Sequence, residues 1–279
     1  MTVGVIGLGL IGGSMAMVLK QQGFAQKIIG ADARETHQNE ALELGLVDEI
    51  TDVFNLVQQS AVIVLATPVD AIEQLLPQVM NTVNNQVVID VGSIKQKVVA
   101  AIENHPRRCR FVATHPMWGT EYSGPRAAVR DAFAGKAVVF CDVAQSDADA
   151  LQTAQQLYQC LGMKAVYMNS ADHDVHVAYV SHVSHITSFA LANTVLEKER
   201  EEGAIFDLAS GGFESTVRLA KSNAATWVPI LMQNRENVLD VLNEHISQLR
   251  KFKACLEKED DDYLKELIEG ANRISSIIQ

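Results

Sequence analysis

Residues 3–12 read VGVIGLGLIG, an apolar run that passes directly into three glycines with the spacing GxGxxG. In such a segment Gly7 permits a tight turn, Gly9 lets the backbone approach a pyrophosphate, and Gly12 lets a helix pack closely against a strand. The N-terminus of the following helix would offer free N–H groups to the phosphates. The segment therefore predicts a dinucleotide-binding loop between the first strand and the first helix. Its predicted residues are Gly7, Leu8, Gly9, Leu10, Ile11 and Gly12.

Apolar runs and amphipathic stretches alternate through the rest of the first 168 residues. The apolar runs have the length of strands, whereas the stretches between most of them have a helical period. This alternation predicts an α/β fold in which residues 1–168 form a Rossmann-like domain with a doubly wound, mainly parallel sheet. The predicted strands are residues 3–6, 27–31, 61–66, 87–90, 111–114, 137–141 and 164–167. The predicted helices are residues 13–21, 70–83, 94–104 and 147–161.

Residues 169–279 have no strand pattern and are predicted to form an all-helical substrate-binding and dimerisation domain. A helical period extends from residue 175 to about residue 200 and again over residues 230–256, and residues 260–262, all Asp, offer caps for a last helix over residues 263–278. About 110 residues in long helices make a thin core, and a helix of ~30 residues extends about 45 Å. We therefore expect a homodimer in which the helical regions of two chains pair.

The composition is that of a globular protein, because 48% of the 279 residues are hydrophobic and no biased tract occurs. A net charge of −11 disfavours nucleic acid and anionic membranes as partners. The four cysteines have no metal-ligand spacing, and no apolar run reaches the length of a membrane span. No targeting segment is recognisable at the start of the sequence, so the expected location is the cytoplasm.

An acidic residue, Asp32, lies twenty residues after Gly12, at the end of the second predicted strand. A carboxylate there accepts hydrogen bonds from the adenosine ribose and repels a 2′-phosphate. This position favours NAD as the cofactor. Arg34 lies two residues further on and could contact a 2′-phosphate instead, which leaves NADP open as the less favoured cofactor.

Three more segments follow predicted strands, and ligands of parallel sheets collect at the carboxyl ends of the strands. The third strand is followed by Ala66, Thr67 and Pro68. The fourth is followed by Ser93, and both segments should border the nicotinamide half of the cofactor. The fifth strand brings His115 to the same edge. An imidazole, with a pKa near ~6.5, suits base catalysis, so His115 is the candidate base; a hydrogen-bonded turn residue is the alternative.

Four histidines lie close together at the start of the helical region: His173, His176, His182 and His185. A metal site is one alternative, but zinc and iron sites of this kind usually add a carboxylate, and HExxH is absent, so no metal is predicted. His176 lies off the helix face that His182 and His185 share. It is predicted to be a partly buried, hydrogen-bonded residue.

Arg218 comes after a Gly-Gly pair that is predicted to interrupt the helical pattern within residues 210–218. Its planar guanidinium could bind a carboxylate through two hydrogen bonds. A surface charge on a helix is the alternative for this residue.

Five segments follow one another along the chain: GLGLIGGS, DVGSIK, HPMWGTEYSG, HDVHVAYVSHVSH and SGGFESTVR. In this combination the chain resembles the prephenate/arogenate dehydrogenase family over essentially its whole length. The glycine motif is generic, but HPxxGTExSG followed by the histidine-rich helix and GFxxxxR is specific. The resemblance implies the oxidative decarboxylation of prephenate to 4-hydroxyphenylpyruvate and CO2, with hydride transfer to NAD+, in tyrosine biosynthesis. Arogenate is the alternative substrate.

The resemblance also implies roles for individual residues. His115 would take the proton of the 4-hydroxyl group, Ser93 would lie beside it, and Arg218 would anchor a substrate carboxylate. The other implied residues of the substrate site are Thr120, Glu121, His173, Ser181 and His185. Trp227 is added to the substrate site because it could reach the partner's site in a dimer.

Donors at His185 and Arg218 favour prephenate, whose side chain is only anionic, over arogenate, whose side chain carries an ammonium. Two positions depart from the family pattern: Trp118 stands where a small residue is usual, and Glu214 where a basic residue is frequent.

Two other classes of protein stay open as alternatives. One is a different Rossmann dehydrogenase with a helical domain, which would use a lysine within residues 172–196, where this chain has none. The other is a non-catalytic NAD-sensing protein.

Overall fold

The computed structural model describes residues 1–277, and within them a single sheet of eight strands forms the centre of the first part of the chain. The strand order is β3-β2-β1-β4-β5-β6-β7-β8, and only β6 and β7 pair in an antiparallel manner. The predicted doubly wound, mainly parallel sheet is therefore confirmed. The strands are β1 (Thr2–Ile6), β2 (Lys27–Ala31), β3 (Glu49–Ile50), β4 (Val62–Leu65), β5 (Val87–Asp90), β6 (Phe111–Pro116), β7 (Ala137–Cys141) and β8 (Lys164–Met168).

Helices cover both faces of this sheet because successive strand residues point to opposite sides. Val64 of β4 packs in one core cluster with residues of the first and sixth helices, whereas Leu65 packs in a second cluster with residues of the fourth and fifth. Each face is thus a separate apolar layer. The helices are α1 (Leu10–Gln21), α2 (Glu35–Glu43), α3 (Val53–Gln59), α4 (Val69–Thr82), α5 (Gln96–Ala100) and α6 (Ala148–Cys160).

The change from strand to helix falls at Asn169, whose side chain accepts a hydrogen bond from the Asp172 N–H at 2.8 Å and so caps the next helix. The chain from there to residue 277 is helical apart from short connections, as predicted. A π-helical turn, Ala178–His182, joins the first two helices of this region. The helices are α7 (Ser170–Val177), α8 (Val183–Glu202), α9 (Gly211–Val217), α10 (Ala224–Gln233), α11 (Arg235–Lys258) and α12 (Asp261–Asn272).

Several predicted boundaries in the helical region are wrong. The helix expected over residues 230–256 is interrupted at Asn234, whose buried side chain is drawn into hydrogen bonds with other segments. The glycine pair does not interrupt the helical pattern, because Gly211 begins α9. The last helix starts at Asp261, with Asp260 as its cap, and ends at Asn272. Residue 278, its predicted end, lies outside the described residues.

Three elements of the first part were not predicted. The strand β3 has only two residues, neither of them fully buried, so it leaves no apolar run. The helix α2 has one buried residue, Ala41, and α3 has two, Leu56 and Val57, which is too few for a periodic pattern. Within residues 1–277, no helix is long and apolar enough to cross a membrane.

Candidate active site

Five parallel strands end at the same edge of the sheet, and the loops after four of them hold the predicted cofactor residues. The strand order reverses its direction between β1 and β4, which is where open α/β sheets bind ligands. The glycine loop follows β1, and Asp32 follows β2. Ala66, Thr67 and Pro68 follow β4, Ser93 follows β5, and His115 lies near the end of β6.

The glycine loop has the geometry that a dinucleotide requires. Gly7 has φ of +95°, and a Cβ there would lie 2.6 Å from the backbone of Ala66. A Cβ on Gly12 would lie 2.0 Å from the carbonyl oxygen of Gly7. By contrast, a Cβ on Gly9 would meet nothing within 4 Å, and Gly9 is the residue that precedes α1. Open space therefore adjoins the free N–H groups of the first turn of α1.

Asp32 is fixed against the glycine loop by its own hydrogen bonds. Its carboxylate accepts from the Leu8 N–H at 2.8 Å and from the Arg34 N–H at 2.9 Å. His37 approaches the same carboxylate, with Nδ1 3.4 Å from Oδ2. Arg34 itself is exposed. The negative charge is thus built into the loop where a ribose would lie, and the cation offered by Arg34 is held in solvent.

A buried polar atom lies at the next strand end. The Oγ1 atom of Thr67 is buried and, within residues 1–277, has no hydrogen-bond partner. A buried hydroxyl without a partner is costly, so a polar ligand group at this point would satisfy it. Together with the glycine loop and Asp32, Thr67 fits a dinucleotide cofactor.

His115 belongs to a chain of hydrogen bonds that runs from the sheet edge into the helical region. Its Nδ1 lies 2.9 Å from Nε2 of His173, and Nδ1 of His173 lies 2.7 Å from Oδ1 of Asp174. The Asp174 carboxylate also accepts from the main-chain N–H groups of Lys95 at 2.7 Å and Gln96 at 2.9 Å. The histidine that was predicted from the fifth strand is therefore held by α7 and by the start of α5.

A buried ion pair supports the strand that carries His115. The ammonium of Lys95 donates to the carboxylate of Asp90 and, at 2.8 Å, to the carbonyl oxygen of Thr114. Lys95, Asp90 and Thr114 have no exposed surface. The pair joins the ends of β5 and β6, so it fixes the backbone of the residue before His115.

The imidazoles at this edge are held in the neutral form. Burial lowers the pKa of His115 well below its usual value, and the nearby charges of His173, Lys95 and His182 lower it further. Burial likewise lowers the pKa of His173, although Asp174 opposes that shift. The pKa of His182 falls to about 4, again because of burial. At neutral pH, His115 is therefore unprotonated and able to accept a proton.

A second group of side chains lies on the helices α8 and α10 and near the end of α9. The His185 ring stacks on the Trp227 ring with centroids 3.4 Å apart, and its Nδ1 donates to the Ser181 carbonyl oxygen at 3.1 Å. Arg218 lies 3.3 Å from the Glu121 carboxylate, across the gap between the helical region and the loop after β6. Burial and the charge of Arg218 both lower the pKa of His185.

Not every predicted residue is engaged in this way. No hydrogen bond joins Ser93 to His115 among residues 1–277, and Thr120 is exposed, with its hydroxyl 3.3 Å from the Tyr122 N–H. Trp227 contacts His182 and His185 of its own chain. His176 was predicted to be partly buried and hydrogen-bonded, but it is exposed, because it lies on the outer face of α7. Residues 1–277 contain no cluster of side chains able to hold a metal ion.

The two residues that depart from the family pattern make contacts with other residues. Trp118 packs edge-on against Phe133, with ring centroids 5.2 Å apart. Glu214 is exposed and lies 3.9 Å from the Lys221 ammonium. The Glu214 carboxylate thus lies in solvent, next to the Lys221 ammonium.

Four residues of the network were not among those predicted from the sequence: Asp90, Lys95, Asp174 and Asn234. The Asn234 side chain donates to the Asp174 carbonyl oxygen at 2.7 Å and lies 3.2 Å from Nδ1 of His182. Lys95 and Asp174 lie in the segments DVGSIK and HDVHVAYVSHVSH, close to the predicted residues Ser93 and His173. Nothing in the sequence marks Asn234, because its role depends on the break between α10 and α11.

A dinucleotide-binding sheet with a neutral, hydrogen-bonded histidine at its carboxyl edge defines a dehydrogenase, an oxidoreductase with a nicotinamide cofactor. Comparison with known proteins narrows the class. Residues 15–167 match the family model described as the nucleotide-binding domain of prephenate dehydrogenase, and residues 169–270 match the one described as its dimerization domain. The chain therefore belongs to the prephenate dehydrogenase family.

Individual relatives agree with this assignment. Over 267 residues the chain is 33% identical to prephenate dehydrogenase of Bacillus subtilis (strain 168), a match that covers 94% of this chain and 72% of that protein. The crystal structure of prephenate dehydrogenase from Aquifex aeolicus with hydroxyphenyl propionate and NAD+ has a TM-score of 0.91 at 29% identity, covering 100% of this chain and 98% of that one. Synechocystis arogenate dehydrogenase has a TM-score of 0.78 at 26% identity, with full coverage of both chains.

Proposed function

We propose that this chain catalyses the oxidative decarboxylation of prephenate to 4-hydroxyphenylpyruvate and CO2, with hydride transfer to NAD+, as a step of tyrosine biosynthesis. The observation that carries the proposal is the position of His115, a neutral imidazole at the same sheet edge as the glycine loop. The family membership and the ligands of the Aquifex aeolicus structure support it.

In the proposed reaction, His115 takes the proton of the ring 4-hydroxyl group as a hydride leaves ring C4. The bond between the ring and its carboxylate then breaks, CO2 departs, and the electron pair left in the ring makes it aromatic, with a phenolate oxygen. His115 returns its proton to that oxygen. No net proton is released, and a positioned base of this kind contributes roughly 10² to 10⁴ in rate.

Side chains of the helical region and the loop after β6 would hold the substrate. Arg218 is the proposed anchor for a carboxylate, because its guanidinium is half exposed and the Glu121 carboxylate beside it can exchange for a substrate anion. His185, Ser181, His173 and Thr120 would line the rest of the pocket, with Trp227 against His185, and Ser93 would lie beside the reacting hydroxyl group.

NAD+ is the proposed cofactor and supplies the hydride acceptor when it is bound. The glycine loop and the first turn of α1 would hold its pyrophosphate, and Asp32 would accept hydrogen bonds from the ribose. The segment from Ala66 to Pro68 and Ser93 would border its nicotinamide. NADP+ is disfavoured because the Asp32 charge would face a 2′-phosphate.

We propose a homodimer, with the helical region over residues 169–279 as its interface and residues 1–168 as the nucleotide-binding domain. Large apolar side chains are exposed along this region, among them Val180 at 69% and Leu256 at 69%. The dimerization-domain match supports this assembly. Cytoplasm is the proposed location, where prephenate and NAD+ would both be available.

The test is a direct assay of each substrate with each cofactor. Purified protein is mixed with prephenate or arogenate and NAD+ or NADP+, and reduced cofactor, CO2 and the aromatic product are quantified together. We expect equal amounts of NADH, CO2 and 4-hydroxyphenylpyruvate from prephenate. Higher kcat/KM with arogenate would make the chain an arogenate dehydrogenase, and reduction of NAD+ without CO2 would indicate a different dehydrogenase. NAD+ binding without turnover of either substrate would favour an NAD-sensing protein.

A further inference from the structure

We infer that Asp174 is a positioning residue for His115: acting through His173, its carboxylate fixes the His115 imidazole in the tautomer whose Nε2 is unprotonated. The inference deepens the proposed function and rests on it, because it takes His115 as the base. Asp174 itself touches no reacting atom in this arrangement. It acts from the far end of the hydrogen-bond chain.

The hydrogen-bond pattern assigns both tautomers. The Asp174 carboxylate only accepts, so Nδ1 of His173, 2.7 Å away, must carry the hydrogen. In a neutral imidazole the other nitrogen then has a lone pair, so Nε2 of His173 accepts from Nδ1 of His115 at 2.9 Å. His115 therefore carries its hydrogen on Nδ1. Its Nε2, which has no hydrogen-bond partner within residues 1–277, is left as the basic nitrogen.

This chain of hydrogen bonds has little freedom to rearrange. His173 has no exposed surface and Asp174 has 3%. The Asp174 carboxylate also accepts from the Lys95 and Gln96 N–H groups. The main-chain carbonyl oxygen of Asp174 accepts from the Asn234 side chain. These donors hold the buried carboxylate in one orientation.

Charge gives Asp174 a second effect on His115. When His115 takes a proton, a positive charge forms near the Lys95 ammonium, which disfavours it. The nearby carboxylate of Asp90 is already paired with Lys95. Asp174 places a further carboxylate at the end of the hydrogen-bond chain, next to His173. It therefore favours the protonated imidazole that forms in the proposed reaction.

An amide at this position cannot satisfy the same donors. Oδ1 of Asp174 accepts from both His173 and the Lys95 N–H, and Oδ2 accepts from the Gln96 N–H, so a single amide oxygen cannot serve all three donors. In Asp174→Asn, the orientation that keeps the oxygen on the Gln96 N–H presents an NH2 group to His173. His173 would then accept at Nδ1 and donate from Nε2, which forces His115 to accept at Nδ1 and to carry its hydrogen on Nε2. We expect kcat to fall by roughly 10² to 10⁴, as for other bases held in the wrong tautomer, with KM for prephenate and NAD+ nearly unchanged.

A double-mutant cycle separates this effect from a merely structural one. In His173→Gln, the side-chain amide oxygen can take the place of Nε2 and accept from His115 without help from Asp174. We expect this variant to keep more activity than His173→Leu, which has no acceptor. We also expect Asp174→Asn to cost about tenfold less in the His173→Gln background than in the wild type.

Two readouts complete the test. The acid limb of kcat/KM should move to lower pH in Asp174→Asn, because loss of the carboxylate makes His115 harder to protonate. Nitrogen-15 NMR of the imidazoles of the NAD+-bound protein should show His115 protonated at Nδ1 in the wild type and at Nε2 in the variant. This second readout does not depend on turnover, so it also holds if the proposed substrate is wrong.

An equal loss of kcat from Asp174→Asn in both backgrounds would overturn the inference, because Asp174 would then act only by capping Lys95 and Gln96. A wild-type His115 protonated at Nε2 would also overturn it. If Asp174→Asn does not fold, equal activity of His173→Gln and His173→Leu is the contradicting result. A wild type that fails to oxidise prephenate contradicts the proposed function alone.

Discussion

The imidazole of His185 stacks on the indole of Trp227 with ring centroids 3.4 Å apart, while its Nδ1 donates to the carbonyl oxygen of Ser181. Neutral His185 therefore presents a lone pair at Nε2 and offers no donor to a substrate carboxylate. Only the protonated ring carries a hydrogen at Nε2. The expectation from the sequence that His185 donates a hydrogen bond to the substrate thus holds only when its ring is protonated.

This relationship predicts a pH dependence of substrate binding. Burial and the charge of Arg218 lower the pKa of His185. The ring therefore loses its proton at a pH below the ordinary histidine pKa of about 6.5. We expect KM for prephenate to be lowest at acidic pH and to rise as the pH passes upward through that pKa, because the Nε2 donor and the positive charge are lost. The measurement is KM for prephenate from about pH 5 to pH 8.

The same profile in His185→Gln should be flat, with His176→Gln, a change of an exposed histidine, as the matched control. A His185→Gln variant that keeps the wild-type rise in KM would assign the titration to another group.

Cofactor choice should depend on Asp32. We expect the wild type to have higher kcat/KM with NAD+ than with NADP+, and Asp32→Asn to narrow that difference by roughly tenfold, because the charge facing a 2′-phosphate is removed. Asp48→Asn is the control, since Asp48 also accepts a main-chain hydrogen bond, from Ile28, but lies outside the cofactor loop. Equal efficiency of the wild type with both cofactors would show that Arg34 or His37 outweighs Asp32.

Substrate choice should not depend on Glu214. Its carboxylate is exposed and lies beside Lys221, so Glu214→Gln is expected to leave the ratio of kcat/KM for prephenate and arogenate unchanged, with prephenate preferred. Glu121→Gln makes the same chemical change beside Arg218 and should alter KM for prephenate. If the arogenate efficiency were the higher one and fell only in Glu214→Gln, the carboxylate would have to reach the substrate ammonium.

Assembly should depend on the exposed apolar face of α11. Leu249 and Leu256 are two turns apart on one face and are 54% and 69% exposed. We expect light scattering at micromolar concentration to give twice the chain mass of 30.5 kDa, and Leu249→Glu with Leu256→Glu to give the single-chain mass. Leu44→Glu, at an exposed leucine of the nucleotide-binding region, should leave the mass unchanged. A single-chain mass for the wild type would contradict the proposed homodimer.

Local features of the fold could be predicted from the sequence. The turn at Gly7 and the close packing at Gly12 depend on residues within one short segment. Most strands can be recognised as apolar runs in the sequence. Elements with few buried residues, such as β3 and α2, could not be found in this way. Neither could the break at Asn234, because it is stabilised by a hydrogen bond to Asp174, 60 residues away in the chain.

The candidate site shows the same division. His115 could be selected because it follows a strand, and Asp32 because its distance from Gly12 is typical of dinucleotide sites. The contact of His115 with His173 spans 58 residues, and no spacing rule predicts which two imidazoles will meet. The buried pair of Lys95 and Asp90 was missed for a different reason: a lysine in a sequence is usually a surface residue, and only the packing shows that this one is not.

The central claim, that His115 is the base of a prephenate dehydrogenase, is tested most directly by one comparison of product yields. NADH and 4-hydroxyphenylpyruvate formed from prephenate are quantified at saturating substrate for the wild type, His115→Asn and the control His176→Asn. We expect the wild type and the control to form both products in equal amounts, and His115→Asn to form them at least ~10²-fold more slowly with unchanged NAD+ affinity. A His115→Asn enzyme that keeps near-full kcat would contradict the account.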